Sequence, residues 1–216
     1  MSDALLRAPD LAERLDRGLD EMRIPLPKEA RARLLKFLAL IEKWNQVYNL
    51  TAVKDAAQMV SVHLLDCLAI APHIVTGHRL LDVGSGAGLP GIPIAVAKPA
   101  IGVTLLDSSH KKAAFLREVA AQLQLDNVNV VCERVENWRS PVRFDCIISR
   151  AYAELAEFVK ASSHLLAPNG VFVAMKGLYP FEEIDRLPRD FRVSKVIRLQ
   201  VPLLAAERHL VMIQAA

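Results

Sequence analysis

The stretch "LLDVGSGAGLPGIPIAVA", residues 80–97, is apolar at both ends and holds four glycines and two prolines between them. Its first part reads as a strand ending at Val83, and its last part as a helix starting at Leu89. A plain strand-to-helix turn needs one such glycine. Gly84, Gly86 and Gly88 at alternate positions give a loop that can take positive φ and that carries no Cβ to hold a ligand off.

The segments around this loop set the fold class. "GVTLLD", "NVNVVCE", "FDCIIS" and "GVFVAMK" are short Val/Ile/Leu runs, each separated from the next by a helical pattern or a loop, such as "SSHKKAAFLREVAAQLQL" and "AELAEFVKASSHLL". Near-continuous apolar strands joined by helices imply a parallel sheet covered on both faces. "RVSKVIRLQV" and "RHLVMIQA" are separated only by "PLLAAE", too short for a crossover helix, so they pair antiparallel. The expectation is an α/β fold of five parallel strands plus a C-terminal antiparallel hairpin.

Before residue 79 the pattern is helical. Leu11, Leu15, Leu19 and Met22 make one apolar stripe, and Leu34, Leu38, Ile41 and Trp44 make another after Pro27. A third helix starts near Asp55 and runs through "AAQMVSVHLLDCLAI". The reading is a helical segment over 1–78 packed on a ligand-binding domain over 79–216, as one compact unit.

Composition narrows the function. The chain has 216 residues, 52% of them hydrophobic, which suits one globular core. Its 27 basic and 24 acidic residues form no basic tail, so an RNA-binding face has to be assembled in three dimensions. Cys67, Cys132 and Cys146 have no metal-ligand spacing; all are read as reduced, with Cys132 and Cys146 in the core. "MSDALLRAPDLAERLD" lacks a signal-peptide apolar stretch, and no uncharged run is long enough to span a bilayer. A cytoplasmic protein without metal or membrane association is expected.

In an open α/β sheet the ligand binds beyond the carboxyl ends of the strands. No Gly-Lys-Ser/Thr follows the loop, so it is not a P-loop. Gly86-x-Gly88-x-x-Gly91 formally matches the dinucleotide fingerprint and keeps an NAD-binding Rossmann protein open. From the strand end, however, the pattern is Asp82-x-Gly84-x-Gly86-x-Gly88. An acid before such a turn suits a ligand with an amino-acid end and no pyrophosphate, S-adenosylmethionine. Asp107, at the end of the second strand, is placed to accept ribose hydroxyls or to cap the next helix. Val135 and Glu136, after the third strand, lie where an adenine edge is expected, or form an ordinary charged loop.

The acceptor is approached through "SRAY", residues 149–152. The Asn/Asp-Pro-Pro of exocyclic-amine methylases is missing here, and no cysteine stands ready to attack a pyrimidine. Guanine N7 needs neither base nor nucleophile, only alignment with the methyl group. Arg150 is then a substrate- or donor-positioning residue, or a structural ion pair. Lys176, at the end of the fifth strand, is a candidate phosphate contact. His63 with Asp66, Lys111 with Lys112, and Arg208 with His209 remain open between structural and binding roles.

The series "NLT", "HLLD", "DVGSGAGLPGIP", "LLDSSHKKAAFLREV", "RVE", "ISRA", "MKG" and "ERHLV" resembles the bacterial small-subunit rRNA methyltransferase G family, also called glucose-inhibited division protein B. The resemblance runs from about residue 40 to the end. It implies a Rossmann-like class I methyltransferase fold of seven strands. It also implies transfer of a methyl group from S-adenosylmethionine to N7 of guanine 527 in the 16S rRNA of the small ribosomal subunit, with S-adenosylhomocysteine as product. Donor contacts implied by the family fall on Gly84, Leu89, Val135, Glu136 and Arg150, beside the Gly86, Gly88 and Asp107 read from the residues. A methyltransferase with another RNA or small-molecule acceptor is the alternative.

Overall fold

The computed structural model describes residues 9–75, 79–150 and 152–216. The first eight residues, the 78/79 domain boundary and Ala151 of the "SRAY" motif lie outside these. Helix α1 (Pro9–Glu21) buries Leu11, Leu15 and Leu19 on one stripe, as the spacing requires. It ends in a left-handed turn at Arg23, with φ of 56°. Helix α2 (Lys28–Tyr48) starts after Pro27 and buries Leu34, Leu38 and Ile41. Trp44 is only half-buried, and its ring lies 5.4 Å from that of Phe115.

The third helix differs from a regular α-helix. Asp55 caps α3, which opens as Ala56–Met59, widens into a π-helical Val60–Leu65 and closes with Asp66–Leu68. His63 and Asp66 each take their own partners, Thr51 for the first and Arg150 with Arg208 for the second.

The sheet has seven strands in the order β3-β2-β1-β4-β5-β7-β6. In chain order these are β1 (Arg79–Val83), β2 (Gly102–Leu106), β3 (Val128–Val131), β4 (Phe144–Arg150), β5 (Leu166–Lys176), β6 (Phe191–Leu199) and β7 (Arg208–Ala215). The first five pair parallel, and β7 runs antiparallel between β5 and β6. The crossover helices are α4 (Gly91–Ala97), α5 (His110–Gln122) and α6 (Leu155–Ser162), and a short α7 (Phe181–Asp185) follows β5. Strand order reverses between β1 and β4, so the ligand crevice of this topology opens at the ends of Val83 and Arg150.

Three local expectations are corrected. The helix after the glycines begins at Gly91, because residues 86–90 form turns that include the cis Leu89-Pro90 bond. Strand β5 begins at Leu166, four residues before its apolar run at Gly170. The second core cysteine is Cys67; Cys132 is half-buried at the end of β3. Leu15, Leu34 and Leu64 share one apolar cluster with Leu80, Ile92 and Leu105, so the helical segment packs directly on the sheet layer. Among the described residues no helix is long and apolar enough to cross a membrane, and no group of three or more His, Cys, Asp or Glu could hold a metal ion.

Candidate active site

Gly84, Gly86 and Gly88 take φ of 69°, 57° and 82°, a region that L-side chains avoid. They need glycine for different reasons. A Cβ on Gly84 would sit 2.7 Å from Cδ2 of Tyr152, and one on Gly88 would sit 2.7 Å from Ile92. A Cβ on Gly86 would meet only Gly84 O, at 3.7 Å. Two of the glycines make room for the protein itself. Gly86 alone faces open space.

Four of the loop amides bond within the loop and to β2. Gly84 and Ser85 donate to Leu106 O at 2.9 and 3.1 Å, and Gly88 and Leu89 donate to Ser85 O at 2.7 and 3.1 Å. Gly91 N, at the start of α4, donates to Asp82 Oδ2 at 2.9 Å. Asp82 is fully buried, and a Cβ on Gly91 would strike Leu105. Burial pushes the Asp82 carboxyl up to about 7, against the hydrogen bond from Gly91. The acid before the turn therefore braces the loop from behind.

Asp107 holds it from the front. Its Oδ2 accepts from Gly86 N at 2.9 Å and its Oδ1 from Ser109 N at 2.9 Å, with Lys112 Nζ 3.9 Å from Oδ2. The helix cap is Ser109, whose side chain accepts from Lys112 N. A carboxylate offers about four acceptor directions, so acceptor capacity remains after these contacts.

Beside this pair lies a cavity of about 320 Å³, lined by Val83, Gly84, Leu106, Asp107, Ser108, Lys112, Glu133, Arg134, Val135, Glu136 and Tyr152. Four of the expected site residues (Gly84, Asp107, Val135 and Glu136) line it, and Gly86 joins through Asp107. Gly88 and Leu89 are buried behind the loop. Lys112, left open between structural and binding roles, lines the cavity, and so do Tyr152 and Arg134, which were not singled out. The "SRAY" and "RVE" motifs that contain Tyr152 and Arg134 were the available signal. A larger hollow of about 930 Å³ lies between the end of α1 and the β6–β7 connection, and none of the expected site residues line it.

Arg150 and Lys176 are held by the protein. Arg150 Nη1 donates to Val62 O at 2.9 Å and to Asp66 Oδ2 at 3.3 Å. Arg208 Nε donates to Asp66 Oδ1 at 3.0 Å, so one buried carboxylate ties β4 and β7 to the π-helical turn. Burial pushes the Asp66 carboxyl up, and the two guanidiniums oppose that shift. Lys176 Nζ is 2.6 Å from Glu183 Oε2 and 3.0 Å from Ala153 O, which places it in an ion pair. His63 bonds Thr51 Oγ1 at 3.0 Å; burial and then the Arg150 charge lower its pKa to about 4. Lys111 rests 6.0 Å from the centroid of Tyr48, and His209 Nδ1 lies 2.8 Å from Gly177 O.

Residues 30–211 match the family described as rRNA small subunit methyltransferase G. The chain belongs to this family. The ribosomal RNA small subunit methyltransferase G of Chromobacterium violaceum is 53% identical over 197 residues, covering 91% of this chain and 94% of its own. That of Neisseria meningitidis serogroup B is 52% identical over 201 residues, covering 93% and 97%. Among solved structures, the mitomycin 7-O-methyltransferase aligns with a TM-score of 0.60 at 15% identity, covering 92% of this chain and 75% of that one. The ribosomal protein L11 methylase of Lactobacillus delbrueckii aligns at 0.56 and 19% identity, covering 70% and 76%. At that identity the structural likeness speaks for the fold alone, and that fold is the class I methyltransferase sheet. Family membership sets aside the NAD-binding reading.

Proposed function

We propose that this rRNA methyltransferase uses S-adenosylmethionine to methylate N7 of a guanine in 16S rRNA, at the position 527 implied by the family, working in the cytoplasm on the small ribosomal subunit. The observation that carries the reading is Gly86. It is the one glycine of the loop whose missing Cβ leaves open space, and it is bonded to the acid that ends β2.

The residues fit such a donor. Gly86 admits close approach, and Asp107 has acceptor directions left for ribose hydroxyls. Val135 is buried in the cavity wall, and Glu136 is exposed at the rim. The charged lining is three acids (Asp107, Glu133, Glu136) against two bases (Lys112, Arg134), which favours a cationic or zwitterionic ligand over a pyrophosphate. When bound, the donor supplies an electrophilic methyl on a sulfonium.

The chain has to align and enclose, because N7 carries a lone pair and no proton. Nothing at the end of β4 then has to act as a base. Arg150, already turned toward Asp66, serves as a positioning residue with its remaining N–H groups. Lys176 acts at one remove, by fixing the turn between β4 and α6 through Ala153 and Glu183. Calorimetry with S-adenosylmethionine and NADH, followed by methyl transfer to 16S rRNA, tests the reading. Binding of NADH alone contradicts it.

A further inference from the structure

Resting on the donor site just described, we propose that Tyr152 is the residue by which the cavity distinguishes the cationic sulfonium donor from its neutral thioether product. Tyr152 follows β4 and lines the cavity beside Gly84. The missing Cβ of Gly84 is what seats the ring, since a side chain there would begin 2.7 Å from Cδ2.

Two further contacts hold the ring. It packs edge-on to Phe158, with centroids 6.5 Å apart and planes at 63°. Its hydroxyl lies 3.4 Å from Glu136 Oε1, across the cavity from the end of β4 to the loop after β3. Burial first, and then the Glu136 carboxylate, raise the phenol pKa, so the ring stays a neutral aromatic at physiological pH.

A cation near the face of an aromatic ring is attracted by the ring quadrupole, and a neutral thioether of the same shape is not. Glu136, at the hydroxyl end, adds negative potential of the same sense. Tyr152 therefore stabilises the ligand before methyl transfer and releases that stabilisation once the sulfur is neutral. The consequence is preferential binding of donor over product, which limits inhibition by the product.

The test is calorimetry of S-adenosylmethionine and S-adenosylhomocysteine on the full chain, with thermal unfolding run on each variant. Tyr152→Leu is expected to weaken S-adenosylmethionine by about fivefold to thirtyfold while S-adenosylhomocysteine stays within about twofold. Tyr152→Phe keeps the ring and the wild-type affinity ratio. Equal weakening of both ligands by Tyr152→Leu, or loss of the ratio in Tyr152→Phe, overturns the role of the ring. Failure of the wild-type protein to bind either compound overturns the donor site itself, which is a different result.

Discussion

Gly86 N donates to Asp107 Oδ2 at 2.9 Å, so the bare turn after β1 and the acid ending β2 form one unit. Asp82 supports the same loop from the opposite side through Gly91 N. One carboxylate is buried as a brace and the other stands at the cavity, and that difference in placement separates their predicted effects.

Gly86→Ala should impair binding more than folding. The added Cβ meets only Gly84 O at 3.7 Å, and holding alanine at positive φ costs roughly 1–2 kcal/mol. The melting temperature should fall by only about 2–8 °C, while donor affinity falls at least about tenfold, as a side chain enters the ligand's space. Gly91→Ala should do the reverse, because its Cβ collides with Leu105 and crowds Asp82. Calorimetry and thermal unfolding on both variants check the contrast.

Asp107→Asn removes a charged acceptor from the cavity but keeps one oxygen for the backbone. Loss of a hydrogen bond to a charged group is worth about 1.5–3 kcal/mol, so donor affinity should fall roughly tenfold to a hundredfold. A donor analogue lacking its ribose hydroxyls should lose little more on going from wild type to the variant. A large additional loss with the analogue assigns Asp107 to the loop alone.

Arg150→Ala should cost both activity and stability. The side chain bonds Val62 O and Asp66, and its removal leaves Asp66 buried with Arg208 as its remaining ion-pair partner. A loss of about 2–4 kcal/mol follows. Arg150→Lys keeps the charge, so it should recover part of that stability while activity stays low, because a point charge does not replace a guanidinium fork. Denaturant unfolding beside a methyl-transfer assay separates the two effects.

Two buried groups give the pH dependence of stability, with opposite signs. Asp82 has a pKa of about 7 when folded and an ordinary value of 3.8, so in that window the native state holds a proton that the unfolded chain has released. Stability therefore falls as pH rises toward 7, by at most about 4 kcal/mol from Asp82, and Asp82→Asn should reduce that fall, leaving the part of the same sign that comes from Asp66. His63 titrates near 4 when folded against 6.5 ordinarily, so the unfolded chain takes up the proton first. Its contribution is lost as pH drops from 6.5 toward 4, by at most about 3 kcal/mol. His63→Gln should flatten that limb. Melting curves across this range for the two variants and wild type check both signs.

The sheet was readable because burial on both faces leaves a continuous apolar run, and an eight-residue connection is too short for a crossover between β6 and β7. Gly84, Asp107, Val135 and Glu136 were readable because each follows the end of a strand. The start of α4 was not, since Leu89 and Pro90 are as apolar as the helix they precede. The π-helical turn leaves no mark in composition, and the partners of Asp66, Arg150 and Arg208, lie far from it in sequence. Lys176 looked free because its partner, Glu183, sits on a five-residue helix with no apolar stripe to announce it. Cys132 looked buried because strand β3 reads as apolar, yet the strand ends one residue earlier.

The central claim is most directly tested by incubating the purified protein with S-adenosylmethionine and small ribosomal subunits, then identifying the modified base by mass spectrometry of the 16S rRNA. Methylation of a single guanine at N7, lost with Gly86→Ala, is the predicted result. A methyl group on an exocyclic amine, or full activity in Gly86→Ala, would contradict the account.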